Sequence, residues 1–156
     1  MAKLTNIVVH CSDSIWGSAA EIRRWHMEKG WRDIGYHRVI KNGWPTQGMY
    51  VAAENGSIEV GRDLDGDNYI IGKEAGAHAL GYNTNSIGIC LIGVKQFSPE
   101  QVGSLLKLLQ EFQSRYNIDA ENILGHYETP LSHGKTCPNI EMYHIRYLLE
   151  IMNENY

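Results

Sequence analysis

Seven histidines and three cysteines are the residues of this chain best equipped to hold a metal ion. The histidines are His10, His26, His37, His78, His126, His133 and His144. A lone histidine is commonly a hydrogen-bonded partner of core or surface, so position has to select among them. His10 closes the β-branched run Asn6-Ile7-Val8-Val9-His10. His126 follows a glycine in an extended stretch, and Cys137 comes shortly after it, ahead of a proline. Two imidazoles and a thiolate are a borderline-soft donor set that suits zinc, and three protein ligands leave a fourth tetrahedral position open. Spacing alone does not single out this trio. No His-Glu-x-x-His or Cys-x-x-Cys joins its members, and His133 stands near Cys137 as a rival. Taken singly, Cys137 reads as a small buried hydrophobe and Lys135 as an ordinary loop cation.

The elements that must position these residues are legible in the hydrophobic pattern. Residues 6–10 predict a buried strand. Ser18-Ala19-Ala20-Glu21 is a capping-box pattern, followed at helical spacing by Ile22, Trp25, His26 and Lys29 and stopped by Gly30. Residues 36–40 and 49–53 predict strands, and Asn55-Gly56 predicts a hairpin turn into a strand at 57–60. Residues 87–92, with Cys90, predict a central strand. Ser98-Pro99-Glu100-Gln101 opens the clearest helix, with Leu105, Leu108, Leu109 and Phe112 as its buried stripe. Residues 123–125 deliver His126 into a loop, and Asn139 is placed to cap a last helix through Leu149. The alternation predicts an α/β fold: a single domain over residues 1–156, with a central mixed β-sheet flanked by helices. Such sheets carry their sites at strand ends, where His10, His126 and Cys137 fall. Cys11 should face away from His10 into the core, Cys90 should be core, and Trp25 and Trp31 should pack the first helix on the sheet.

Composition narrows the function class. The formal net charge of −4 and the lack of any Lys/Arg run argue against nucleic acid as a partner. No stretch is apolar for long enough to insert in a membrane. The N-terminus, MAKLTNIVVH, carries no signal-peptide pattern, so synthesis in a cytoplasm is expected. An odd cysteine count argues for reduced thiols over a disulfide framework.

Seven segments in order resemble one family. They are Val9-His10-Cys11-Ser12, Glu21-Ile22-Arg23-Arg24-Trp25-His26, Gly30-Trp31-Arg32-Asp33-Ile34-Gly35-Tyr36-His37, and Glu59-Val60-Gly61-Arg62-Asp63. Then come Ala77-His78-Ala79-Leu80-Gly81-Tyr82-Asn83-Thr84-Asn85-Ser86-Ile87-Gly88, Gly125-His126-Tyr127-Glu128 and Lys135-Thr136-Cys137-Pro138. The chain resembles the zinc-dependent N-acetylmuramoyl-L-alanine amidases of the peptidoglycan-recognition type, in particular the short phage enzymes that lyse the host. The resemblance implies the fold of that family, one catalytic zinc on His10, His126 and Cys137, and catalytic roles for Tyr36 and Lys135. His78 and Asn83 are candidates for substrate binding, and His37 and Glu128 for support of the ligands. Glu128 is also a candidate, with Tyr36, for routing a proton to the leaving amine.

The substrate implied is peptidoglycan, cut between muramic acid and L-alanine by a monomer that reaches the wall after release from the host cytoplasm. Two departures stand out. Residues 41–56 are longer than the corresponding turn of short phage amidases, predicting a longer loop with Trp44 and Tyr50 exposed or folded back. The nine residues before His10 are fewer than the arm through which some phage relatives inhibit RNA polymerase, so that second role is not expected. A peptidoglycan-binding module without catalysis and a cytoplasmic amidase recycling soluble muropeptides are the competing readings. Cys137 weighs against the first.

Overall fold

In chain order the elements are β1 (Ala2–Lys3), β2 (Asn6–Cys11), α1 (Ala19–Glu28), β3 (Arg38–Asn42), β4 (Asn55–Val60), β5 (Tyr69–Ile70), β6 (Ser86–Leu91), α2 (Pro99–Tyr116), β7 (Ile123–Gly125) and α3 (Met142–Glu154). They are seen in a computed structural model that describes residues 1–155. β2 lies inside the main sheet, parallel to the central β6 on one side and to the edge strand β7 on the other. β3 extends the sheet parallel to β6, and β4 closes that edge antiparallel to β3, giving the order β4-β3-β6-β2-β7. β1 and β5 form a small separate ribbon.

Strands covered on both faces should be apolar throughout, and Ile7, Val8, Val9, Ile87, Ile89 and Leu91 are fully buried. Their alternation divides the core. Ile7, Val9, Ile40, Ile87, Ile89 and Leu91 meet Leu105, Leu109 and Phe112 of α2 and Met142, Ile145 and Leu149 of α3. On the other face Val39 and Cys90, with Ile92 just beyond β6, meet Ala19 and Ile22 of α1. His10, paired across the sheet with Cys90, therefore emerges on the α1 side. Both expected caps form: Ser18 Oγ accepts from Glu21 N–H at 3.1 Å, and Ser98 and Gln101 make a reciprocal capping box. Among the described residues no helix is long and apolar enough to cross a membrane.

Four local expectations are corrected. Residues 49–53 are not a strand; an isolated bridge, Thr46 to Met49, and a 3-10 turn at Ala52–Glu54 fill this stretch. The hairpin is β3–β4, joined by a long connection, and Gly56 lies inside β4 at φ +85°. A Cβ there would stand 2.8 Å from the Glu100 carbonyl oxygen, so this glycine permits close approach of α2 and does not turn the chain. Tyr36 precedes β3, which begins at Arg38. Asn139 does not cap α3. It is left-handed at φ 61°, its Nδ2 donates to Val94 O at 2.7 Å, and α3 starts at Met142 without a side-chain cap.

Candidate metal centre

Parallel pairing brings the C-terminal ends of β2, β6 and β7 to one edge of the sheet, and the candidate residues collect there. His10 is the penultimate residue of β2. His126 follows β7 directly, in a 3-10 turn at His126–Glu128, where sequence reasoning expected an open loop. Cys137 returns on the next loop, anchored by Tyr127 N–H donating to the Cys137 carbonyl at 2.9 Å. One ligand atom from each of the three lies within 4.8 Å of the others, and His10 Nδ1 stands 4.0 Å from Cys137 Sγ. Zinc bonds of about 2.0–2.3 Å in a tetrahedron space ligand atoms roughly 3.3–3.8 Å apart. The trio thus stands within about an ångström of such an arrangement. His133, the rival by sequence, lies exposed on its loop and outside the cluster.

The neighbours of the trio suit a metal. His10 Nε2 is hydrogen-bonded to His78 Nδ1 at 2.8 Å, which leaves Nδ1 toward the cluster. Cys11 N–H donates to Cys137 Sγ at 3.2 Å, a bond that by itself favours the thiolate, the form that binds metals, while the neighbouring Cys11 side chain and burial push the Cys137 thiol up. The expectation that Cys11 turns away from the site is therefore corrected. Cys11 does bury its side chain, but it ends the strand: its backbone N–H and carbonyl both meet Cys137 Sγ, and its thiol accepts from Asn139 Nδ2 at 3.9 Å. Burial, then the charges of neighbouring groups including Lys135, pushes the His10 pKa well down. Burial followed by Lys135 also lowers that of His126. Both imidazoles are thus kept neutral, as ligands must be.

Tyr36 stacks obliquely on His10, with ring centroids 5.1 Å apart. Its carbonyl accepts from Arg62 N–H at 2.9 Å, and a Cβ on Gly61 would collide with it, which accounts for the Gly-Arg pair of that motif. Burial first, then the nearby thiols of Cys90, Cys137 and Cys11, raises the Tyr36 pKa well above the usual phenol value. Lys135 projects from the exposed loop into the same cleft.

Other expected residues take different places. Glu128 touches no imidazole: its carboxylate forms a two-pronged pair with Arg146 at 2.8 and 2.9 Å and accepts from Gly125 N–H. It is corrected from ligand support and proton routing to bracing the turn that carries His126. Asn83 spends its Oδ1 on the backbone N–H groups of His78 and Ala79 at 2.7 and 2.9 Å and so fixes a turn beside the residues that line the cleft. His78 is 9% exposed, with one edge on the cleft and its ring against His10. His37 is fully buried: Nδ1 accepts from Gly88 N–H at 2.9 Å, so Nε2 carries the proton donated to Glu74 O at 2.6 Å. It packs against His78 and bonds to no ligand.

Sequence reasoning missed one wall of the cleft. His26 and Trp31 line it, with ring centroids 4.4 Å apart, and Trp31 is 39% exposed instead of packed beneath α1. The signal was present, since a tryptophan placed directly after the Gly30 helix stop lies beyond the buried stripe. The cleft measures about 530 Å³. Across Lys135, Thr136 and Asn139 it adjoins a second hollow of about 400 Å³ bounded by Lys95, Tyr127, Ile140 and Glu141. The long 43–54 connection carries Trp44 against Tyr50, both partly exposed, and ties back through Gly17 N–H donating to Trp44 O.

Comparison with known proteins places this arrangement. The profile of the family described as N-acetylmuramoyl-L-alanine amidase matches residues 1–140. The chain is 35% identical over 147 residues to the endolysin of Escherichia phage T7, covering 87% of this chain and 81% of that one. It is 31% identical over 149 residues to the endolysin of Klebsiella phage KP32, covering 88% and 82%. Among solved structures, the N-acetylmuramoyl-L-alanine amidase LysC of Clostridium intestinale URNW superposes with a TM-score of 0.74 at 25% identity, over 96% of this chain and 87% of that one.

Proposed function

Because the chain belongs to the N-acetylmuramoyl-L-alanine amidase family and hydrolyses the amide joining N-acetylmuramic acid to L-alanine in peptidoglycan, we propose that it does so with one zinc ion held by His10, His126 and Cys137. The observation that carries this reading is the convergence of two neutral imidazoles and a hydrogen-bonded thiol at the floor of one cleft. Zinc supplies Lewis acidity, bringing water toward ionisation near pH 7 and polarising a carbonyl.

The remaining work belongs to this chain's own side chains. Attack on the amide carbonyl places negative charge on its oxygen, and a fixed cation or donor aimed there lowers the barrier. Lys135, whose charge is already felt by both His10 and His126, is the cation. Tyr36, held protonated by burial, is a hydrogen-bond donor that keeps its proton throughout. Trp31 and His26 form an aromatic wall for the sugar, and the hollow beyond Lys135 receives the peptide. The chain is released to act on the wall in the manner of a phage endolysin, as a monomer.

The test is mass spectrometry of purified sacculi digested with zinc-loaded and chelator-treated protein. New L-alanine amino termini that require zinc, without new reducing sugar ends, are expected. Sacculi that bind the protein but yield no termini would leave a binding module and remove the roles given to Lys135 and Tyr36. Cleavage confined to soluble muropeptides would favour the recycling reading.

A further inference from the structure

The segment from Gly76 to Gly88 is organised around a single imidazole. Asn83 Oδ1 accepts from the backbone N–H of His78. A Cβ on Gly88 would lie 2.7 Å from the His78 ring, and one on Gly76 would also strike it. Ser86 Oγ lies 3.3 Å from His78 Nε2, and His37 packs edge-on against the same ring. These contacts account for the Asn, Ser and Gly of the longest motif, none of which touches the metal trio.

Proton placement along this chain of contacts is determined by its far end. Ser86 Oγ is 2.6 Å from the carbonyl oxygen of Tyr82, which only accepts, so the single hydroxyl proton of Ser86 points there. Ser86 Oγ must then accept from His78 Nε2–H. That leaves the Nδ1 lone pair of His78 facing His10 Nε2 at 2.8 Å, so His10 carries its proton on Nε2 and presents Nδ1 bare. The opposite polarity would put a proton on the nitrogen that faces Cys137. We infer that His78 is a positioning residue, which with Ser86 and the Tyr82 carbonyl locks His10 in the one tautomer able to bind metal. The inference rests on the zinc reading for its purpose. The tautomer itself is a property of the metal-free protein. Partners of this kind typically govern metal affinity by roughly 10- to 100-fold.

Two measurements test it. In metal-free protein labelled with ¹⁵N-histidine, long-range ¹H–¹⁵N spectra should show both His10 and His78 protonated on Nε2. Ser86→Ala should give mixed tautomers at both rings. In chelator competition, His78→Phe should weaken zinc binding by roughly 10- to 100-fold. His78→Asn, which offers a carbonyl oxygen where Nδ1 stood, should recover most of that loss. His10 protonated on Nδ1 in the wild type, or tautomers unmoved in Ser86→Ala, would overturn the inference, as would full zinc affinity in folded His78→Phe. Wild-type protein that binds no zinc yet shows the expected tautomers would sink the metal reading and leave the lock standing.

Discussion

The two walls of the cleft are built on opposite plans. On one side, residues 76–88 bury His78 beside His37, and the side-chain polar atoms of His37, His78 and Ser86, with Asn83 Oδ1, have protein partners. On the other side, residues 133–136 are exposed, with His133 and Gly134 both at positive φ, and Lys135 has no ion-pair partner among the described residues. The first wall is spent chiefly on packing, with His78 held against His10. The second carries a cation that no described residue pairs with. The family-like segments therefore mix residues that pack with residues open to contact, and burial separates them.

The contrast can be broken or sharpened by substitution. The largest effect is expected where the walls meet. Cys137→Ser should lower sacculus-clearing activity by roughly 10³-fold or more by removing a soft ligand. Zinc content measured on the same samples should fall with it, and retained activity would exclude Cys137 from the centre.

Next comes acid sensitivity, to which the buried wall contributes through His37. Burial, with Arg38 and Arg62 adding to it against the opposing Glu74 carbonyl, lowers the His37 pKa from 6.5 to about 4. Between those values the unfolded chain binds the extra proton and the native one resists it. Stability that is complete above pH 6.5 is therefore lost as pH falls through about 4, by roughly 3 kcal/mol. Urea midpoints across that window should fall in wild type and fall less in His37→Gln.

Lys135→Ala should cost about 10²-fold in kcat while shifting folding stability by no more than about 0.5 kcal/mol. Tyr36→Phe should match it in kcat with zinc retained. Wild-type clearing rates in Lys135→Ala would remove the exposed wall from catalysis, and wild-type rates in Tyr36→Phe would remove the phenol. Smallest in energy, Gly88→Ala should destabilise by about 1–3 kcal/mol through the clash with His78. An unchanged Tm there would show that the buried wall yields more easily than its packing implies.

Where the chemistry is local, the chain announces it. The Ser98 capping box and the β2 run need only neighbouring residues to be understood, and both form as their patterns predict. The trio became legible through its family resemblance and not through spacing, because its members meet only after β2, β6 and β7 align. What escaped was set by tertiary contact. Asn55-Gly56 has the composition of a turn, but the glycine answers to α2 packed above it. Glu128 sits two residues from His126, as a supporting carboxylate might, yet Arg146 of α3 takes both its oxygens. Cys11 obeys the alternation of the strand, but the strand ends there, and the returning 137 loop comes round to meet it.

One consequence concerns the order of events as the chain folds. The first and last members of the trio are 127 residues apart, and His10 and His126 reach the site only on the paired strands β2 and β7. Closing so long a loop costs entropy that a single metal bond in a disordered chain does not offset, so the unfolded protein is a poor chelator. A metal taken by this trio arrives after the sheet is assembled and binds the native state almost exclusively. Its entire binding free energy then adds to stability by mass action, growing with the logarithm of free zinc, and the melting temperature becomes a gauge of metal supply.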